Sequence, residues 1–446
     1  MMKGKRFFVK TFGCQMNVND SEKMAGILTS AGYEKTENLK EADIVIVNTC
    51  SVRAKPDNKA YSFIGELKKL KKEKPELVIA VTGCVPQRDW KFILDRYPHV
   101  DIILGTFNFH KILDFIEALE RPSVEILDTF LENEGEVVPS IEPLLTNPFV
   151  AYVTVQRGCN RFCTYCIVPY VRGRERSVPP ENVVDEVKRL AEKGVKEVHL
   201  LGQNVDFYDY NGVRLPDLLY MVSQVEGIER VRFTTSHPAG FDISIIKAIK
   251  EIPKVCEYVH LPPQSGSNKI LEKMNRGYTR EEYIEKVLML KEEVPNVALS
   301  GDFIVGFPGE TVEDFEQTLS LVETCVFDQA FVFEYSPRPL TRAFSFEDDV
   351  PKKEKNRRLT ELNNLLKRQA EERNLALLGS VQEILVEGLS PSTSEKMIGR
   401  TRNNKIVIVD RNDSLIGNLI NVEIEEATPF YMRGKVIKQL AGVERW

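Results

Sequence analysis

The stretch Arg157-Gly158-Cys159-Asn160-Arg161-Phe162-Cys163-Thr164-Tyr165-Cys166 governs the reading of the whole chain, because it gathers three cysteines within eight residues. It follows directly on a strand-like run at 151–156. Thiolates this close in sequence can wrap a single metal centre. A structural zinc ion is the plainer occupant, but zinc completes its tetrahedron with a fourth Cys or His, and the nearest histidine is His199. Three thiolates suit a four-iron cluster better, since one iron is then left open to a further ligand.

Downstream, strand-like runs recur at 197–201, 230–235, 257–261, 298–305 and 330–334, separated by helix-like stretches such as 180–193 and 279–293. With 151–156 they make six β–α units in succession. Such a series predicts a parallel barrel, or part of one, with its chemistry at the C-terminal strand ends. Those ends carry Gly202, Gln203 and Asn204 after the second strand, Gln264 and Ser265 after the fourth, and Asp302 and Gly306 on the fifth. Glycine admits a close backbone approach, and the other side chains offer donors and acceptors. Singly these are ordinary turn residues. Sharing one barrel edge with Tyr165 of the cysteine loop, they become candidate cofactor contacts.

Upstream, short apolar runs at 7–11, 43–48, 77–82 and 101–104 alternate with helix-like stretches and predict a small parallel α/β domain. Cys14, Cys50 and Cys84 each fall within a few residues of the end of one of the first three strands. In a parallel sheet those ends share an edge, so residues more than thirty positions apart converge on one site. Residues 122–148 mix acidic residues with Pro and Asn and read as a linker with little structure of its own. Beyond the barrel, 351–378 reads as one charged, mostly solvated helix. Short β segments at 381–387, 405–410, 419–425 and 435–440 then predict a small barrel of the kind that often binds RNA. The expected organisation is α/β: an N-terminal parallel domain at 1–121, the linker, a partial (β/α)6 barrel at 149–345, a connecting helix at 346–378 and the small β-barrel at 379–446.

With 42% hydrophobic and 28% charged residues among 446, the composition is that of a globular chain of two or three domains. No run approaches the length of a membrane span, and the N-terminus lacks the apolar stretch of a signal peptide. A cytoplasmic location follows, and a reducing cytosol turns the eight cysteines towards metal binding, catalysis or inert burial. Cys256 and Cys325, in apolar surroundings, read as core residues, and His99 and His110 have no companion at ligand spacing. A net charge of −6 leaves any nucleic-acid contact to local patches. The candidates are Arg157, Arg161, Arg172, Arg174 and Arg176 around the central cysteines, the run from Lys352 to Arg358, and Arg400, Arg402 and Lys405 in the C-terminal barrel.

The opening Thr11-Phe12-Gly13-Cys14-Gln15-Met16-Asn17, with Asn48-Thr49-Cys50, Gly83-Cys84, and the central cluster continuing into Ile167-Val168-Pro169-Tyr170, closely resembles the methylthiotransferase family of radical S-adenosylmethionine (SAM) enzymes. The likeness runs through nearly the whole chain and makes the C-terminal barrel one of the TRAM type. It implies two [4Fe-4S] clusters, on Cys159, Cys163 and Cys166 and on Cys14, Cys50 and Cys84, with SAM chelated by the open iron of the central one. It also implies insertion of a methylthio group into an unactivated C–H bond, with no acid–base side chain required. Gly202-Gln203-Asn204, Thr235-Ser236-His237-Pro238 and Tyr335-Ser336-Pro337-Arg338-Pro339 look like the bacterial branch that acts at C2 of isopentenylated adenosine beside the tRNA anticodon. An electron donor such as flavodoxin or ferredoxin, and a monomeric state, go with that branch. Two alternatives stay open at this point: the branch acting on a ribosomal protein side chain, and a non-catalytic iron–sulfur protein that binds RNA or carries electrons.

Overall fold

The computed structural model describes residues 4–51, 54–119, 126–128 and 141–437. The N-terminal sheet is wholly parallel, and its central strands are Arg6–Thr11, Ile44–Thr49 and Val78–Gly83, side by side. Ile44–Thr49 is buried along its whole length, which is why it reads as an unbroken apolar run rather than an alternating one. Register places Thr11, Asn48 and Thr82 in one row, so the loops that carry Cys14, Cys50 and Cys84 leave from the same edge.

The segment expected to be a structureless linker is more ordered than its composition suggested. Ile126–Asp128 forms the sixth strand of the sheet, paired with Ile102–Leu104, and Ile141 and Leu144 pack on the same core. Local polarity hid these residues because their partners are remote in sequence. The stretch 129–140 lies outside the described residues.

Six parallel strands form the middle domain as two triples, Val150–Thr154, Glu197–Leu201 and Arg230–Thr234, then Tyr258–His260, Ala298–Val305 and Gln329–Glu334. A bridge between Val231 and Val255 joins the triples, giving a partial barrel. The helix Lys352–Leu375 keeps most of its residues in solvent, as expected, but it also carries a buried stripe. It buries Leu362, Leu365 and Leu366 against the barrel, while Lys355 pairs with Asp348 and Arg358 with Glu310 at 2.7 Å. Its high charge masks an apolar stripe of ordinary helical spacing.

The C-terminal domain is a closed five-stranded barrel. Thr393–Thr401 is a strand missed from sequence, and the last strand is Met432–Val436 rather than 435–440, of which 438–440 lie outside the described residues. Closure leaves no open edge at the strand of Glu423, which is paired on both sides. The turn at 401–405 is applied to the N-terminal end of the middle barrel. There Arg402 donates to Glu257 and to the Val255 carbonyl at 2.8 Å, and Lys405 donates to Asp328 at 2.8 Å. Arg230 and Arg232, each 1% exposed, reach the carbonyls of Arg400 and Thr401 and share the buried carboxylate of Glu197. Arg400 pairs with Glu387. Three cations expected to meet RNA therefore hold charges inside the protein, because carboxylates distant in sequence face them.

Burial alone would raise Glu197, but the charge of Arg232 and the hydrogen bond from His199 hold its carboxyl well below the usual carboxylate range. Its contribution to stability is complete above about pH 4 and is lost as pH falls towards the folded-state value. Glu197→Gln strands the buried Arg232 guanidinium and leaves Arg230 with Glu383 alone, and should cost about 3–5 kcal/mol at neutral pH. Urea melts at pH 7 and below pH 4 test this, the difference between variant and wild type shrinking in acid. Equal midpoints at pH 7 would show that the junction carries no such charge coupling.

Candidate active site

The cysteine loop leaves the first barrel strand and turns back at once. A Cβ at Gly158, φ +78°, would lie 1.9 Å from the Arg174 carbonyl, so only glycine allows the loop to close on itself. Cys159 accepts hydrogen bonds from the Arg161 amide at 3.4 Å and from Asn204 Nδ2 at 2.9 Å. Cys163 accepts from Arg276 Nη1 at 3.3 Å. Donors aimed at sulfur are what a thiolate or a thiolate-bound cluster needs, which is an observed fit to the expected group. Among the described residues no three Cys, His, Asp or Glu side chains close into the shell of a single ion. Thiolates that bind separate irons of one cluster stand farther apart than those around one ion. Burial raises the Cys159 and Cys166 thiols.

A cavity of about 1090 Å³ opens beside this loop, lined among others by Tyr165, Cys166, Gln264, Asp302 and Arg338. Asn204 reaches the site through Cys159, as above. Gly202 lets its turn press on Gln156, whose Oε1 would be 2.8 Å from a Cβ there, and the Gln203 Oε1 is buried without a partner. Ser265 is placed elsewhere: its hydroxyl accepts from the Ser267 amide within its own turn. Gly306 lies beneath Lys355 and donates its N–H to Glu310.

Sequence reasoning missed Arg276, which links Cys163, the Tyr165 hydroxyl and the Pro262 carbonyl. Nothing in the run Asn275-Arg276-Gly277 marks it as special. Backbone strain was equally illegible: Phe162 (φ +48°), Thr235 (φ +77°) and Gln264 (φ +69°) all adopt left-handed conformations around the barrel mouth. For a β-branched residue such as Thr235 this is a true outlier, held here by its carbonyl accepting from Val205 N–H at 2.9 Å.

The second trio meets as the strand register requires. A Cβ on Gly13 would be 2.6 Å from the Cys50 Cβ, and Gly83, just before Cys84, touches the backbone of Thr49, just before Cys50. Cys14 donates to Asn17 Oδ1 at 3.4 Å. A hydrogen bond from Cys50, opposed by burial and aided by the charge of Arg172, brings the Cys14 thiol down to about 5. Cys84 packs against Ile167 and Val171, which directly follow Cys166 and its loop. Through Cys84 the N-terminal trio thus meets the short apolar segment that follows Cys166.

Three family models match the chain: the uncharacterised protein family UPF0004 over residues 6–105, the radical SAM superfamily over 153–322 and the TRAM domain over 376–437. A protein of Sulfurihydrogenibium sp. named tRNA-2-methylthio-N(6)-dimethylallyladenosine synthase is 47% identical over 436 residues, covering 97% of this chain and 99% of its own. One of the same name from Carboxydothermus hydrogenoformans is 46% identical over 442 residues, covering 98% and 100%. The chain belongs to the family of these synthases. It is therefore a radical SAM methylthiotransferase, and the ribosomal-protein and non-catalytic alternatives are not favoured. Two solved structures share the fold of this family member at low identity. The radical SAM methyltransferase TsrM from Kitasatospora setae gives a TM-score of 0.55 at 15% identity, covering 76% of this chain and 75% of its own. The cobalamin-dependent radical enzyme OxsB gives 0.53 at 14% identity, covering 82% and 56%.

Behind the site, Asp206 accepts from the His237 amide at 2.7 Å through one oxygen, and its other oxygen is buried without a partner. Burial pushes its carboxyl up to about 8. The folded state then holds a proton that the unfolded chain releases near pH 4, so stability falls as pH rises from about 4 to 8, by up to ~1.4 kcal/mol per pH unit. Asp206→Asn should remove that slope and be the more stable form at pH 8. Chemical denaturation of the metal-free chain across this range measures it, and parallel slopes would refute the assignment.

Proposed function

We propose that this enzyme places sulfur and a methyl group at C2 of N6-isopentenyladenosine beside the anticodon of a tRNA. In this reading it uses SAM and two [4Fe-4S] clusters, one on Cys159, Cys163 and Cys166 and one on Cys14, Cys50 and Cys84. The observation that carries the reading is that Cys84 of the N-terminal domain packs against Ile167 and Val171, the segment that follows Cys166, which itself lines the large cavity. When bound, the clusters and SAM supply the radical and sulfur chemistry that no amino-acid side chain offers.

The chain's own residues hold and enclose. Asn204 and Arg276 donate to the sulfurs of Cys159 and Cys163, fixing their direction. Tyr165, Gln264 and Asp302 line the cavity on the cysteine side, where they offer hydrogen bonds to SAM. At the far wall, Arg338 is braced by Asp57 of the N-terminal domain at 2.8 Å, which ties the cavity rim to that domain. The RNA meets the rim where Arg174 lies 4.5 Å over the ring of Phe162, with Tyr170 edge-on beside it. Bases of a single-stranded loop stack on such aromatic and guanidinium planes. Flavodoxin or ferredoxin is the electron donor in this reading, and the enzyme works as a monomer in the cytoplasm. Among the described residues no helix is long and apolar enough to cross a membrane.

Reconstituted protein should hold about eight irons, as two four-iron clusters require. Ala at any of Cys14, Cys50 or Cys84 should abolish the methylthio-nucleoside while reductive SAM cleavage persists. Ala at Cys159, Cys163 or Cys166 should abolish cleavage itself. A paired assay of 5′-deoxyadenosine and modified nucleoside decides, and full product from the first set would sink the assignment. Arg174→Ala should weaken tRNA binding and reduce the slope of log affinity against log salt by about one. An unchanged slope would move the RNA path off this rim.

A further inference from the structure

Arg172 closes the short helix Val168–Arg172, six residues beyond Cys166, yet its side chain serves the other domain. It is buried, and its two terminal nitrogens reach Asn17 Oδ1 at 3.4 Å and Asp20 Oδ2 at 3.5 Å. Asn17 in turn accepts from the Cys14 thiol, and the guanidinium donates to Cys84. Asp20 also holds Arg157, at 2.8 Å. Among the described residues it is the one carboxylate ion-paired with either arginine.

The charges in this buried group do not balance. Two guanidinium groups face one carboxylate, which leaves the second positive charge to be answered by the cysteines beside it or by the group they bind. An unpaired buried charge is costly unless something nearby answers it. A four-iron cluster in its oxidised resting state carries two positive charges, and three thiolates bring its total to one negative charge. The group proposed for Cys14, Cys50 and Cys84 therefore neutralises the excess.

We propose that Arg172, supplied by the radical SAM domain, is the buried counter-charge of the N-terminal cysteine trio, orienting those thiolates and raising the reduction potential of the cluster they hold. This rests on the reading that the trio binds a cluster. Reduction adds negative charge, so a fixed positive charge that donates to one ligand sulfur and lies near another favours the reduced form. The same residue ties the two sites together, because its helix continues the loop that carries Cys159, Cys163 and Cys166.

The test uses the full chain with Cys159, Cys163 and Cys166 all changed to Ala, so that only the N-terminal site remains, in three forms: otherwise unchanged, Arg172→Met and Arg172→Lys. Met removes the charge but keeps length, and leaves Arg157 and Asp20 as a balanced buried pair, so folding survives; circular dichroism checks this. Iron content and the midpoint potential, followed by electron paramagnetic resonance, are the readouts. The parent should bind about four irons. In the Met form the reduction equilibrium should fall at least tenfold, about 59 mV for one electron, and the Lys form should recover most of that shift. No iron in the parent would overturn the cluster reading and this inference with it. A parent that binds iron and a Met form with unchanged potential would overturn the inference alone, as would a Lys form indistinguishable from Met.

Discussion

The carboxylate of Asp20 holds the active site together. It is buried on the helix Gln15–Ser30 and accepts from Arg157 and Arg172, both of which leave the radical SAM domain. Around it Asn19 bonds Thr154 Oγ1 at 2.8 Å and the Tyr152 carbonyl at 2.7 Å. Charges withdrawn from water tolerate few arrangements, since any shift leaves one of them without a partner. This is the physical means by which two domains, each with its own core, are held in a fixed relation, with Cys84 of one against the segment that follows Cys166 of the other. An apolar contact of similar area would hold the domains as strongly but with less control of direction, because hydrophobic attraction is non-directional.

The same device recurs at the opposite end of the barrel, where Glu197 answers Arg230 and Arg232 beneath the C-terminal domain. A domain of an RNA-binding type is thus built into the barrel's closed end rather than tethered to it. Interfaces between domains of one chain are usually permissive of motion. Here the turn at 401–405 places backbone carbonyls directly on buried guanidinium groups, and movement would expose them unpaired. The consequence is pre-orientation: the two domains stand at a set distance, and less ordering entropy is lost when a partner binds both.

At the barrel mouth the chain departs from relaxed geometry. Phe162, Thr235 and Gln264 take left-handed backbone conformations that their side chains disfavour. Gln264 is held there by a bridge to Phe303, with its amide donating to the Asp302 carbonyl. Strain of this kind survives only where the surroundings over-determine the backbone, and it concentrates where a ligand must be held in one orientation.

Where the signals are local, the chain of residues alone is legible. Cysteine spacing marked the central loop, period and strand-end position marked the two parallel domains, and the loops of Cys14, Cys50 and Cys84 were placed on one edge before any register was known. What it could not decide was the fate of the charges. Arg172, Arg358, Arg402 and Lys405 look alike in a string of letters, as surface cations suited to RNA, and each instead neutralises a carboxylate or faces a thiol far away in the chain. Arg276 and the strained Thr235 carry no local mark at all. The reason is physical: periodicity and propensity arise from neighbours within a turn or a strand, whereas the environment of a charge is set by whichever distant group folding brings beside it. Only the tertiary structure contains that information.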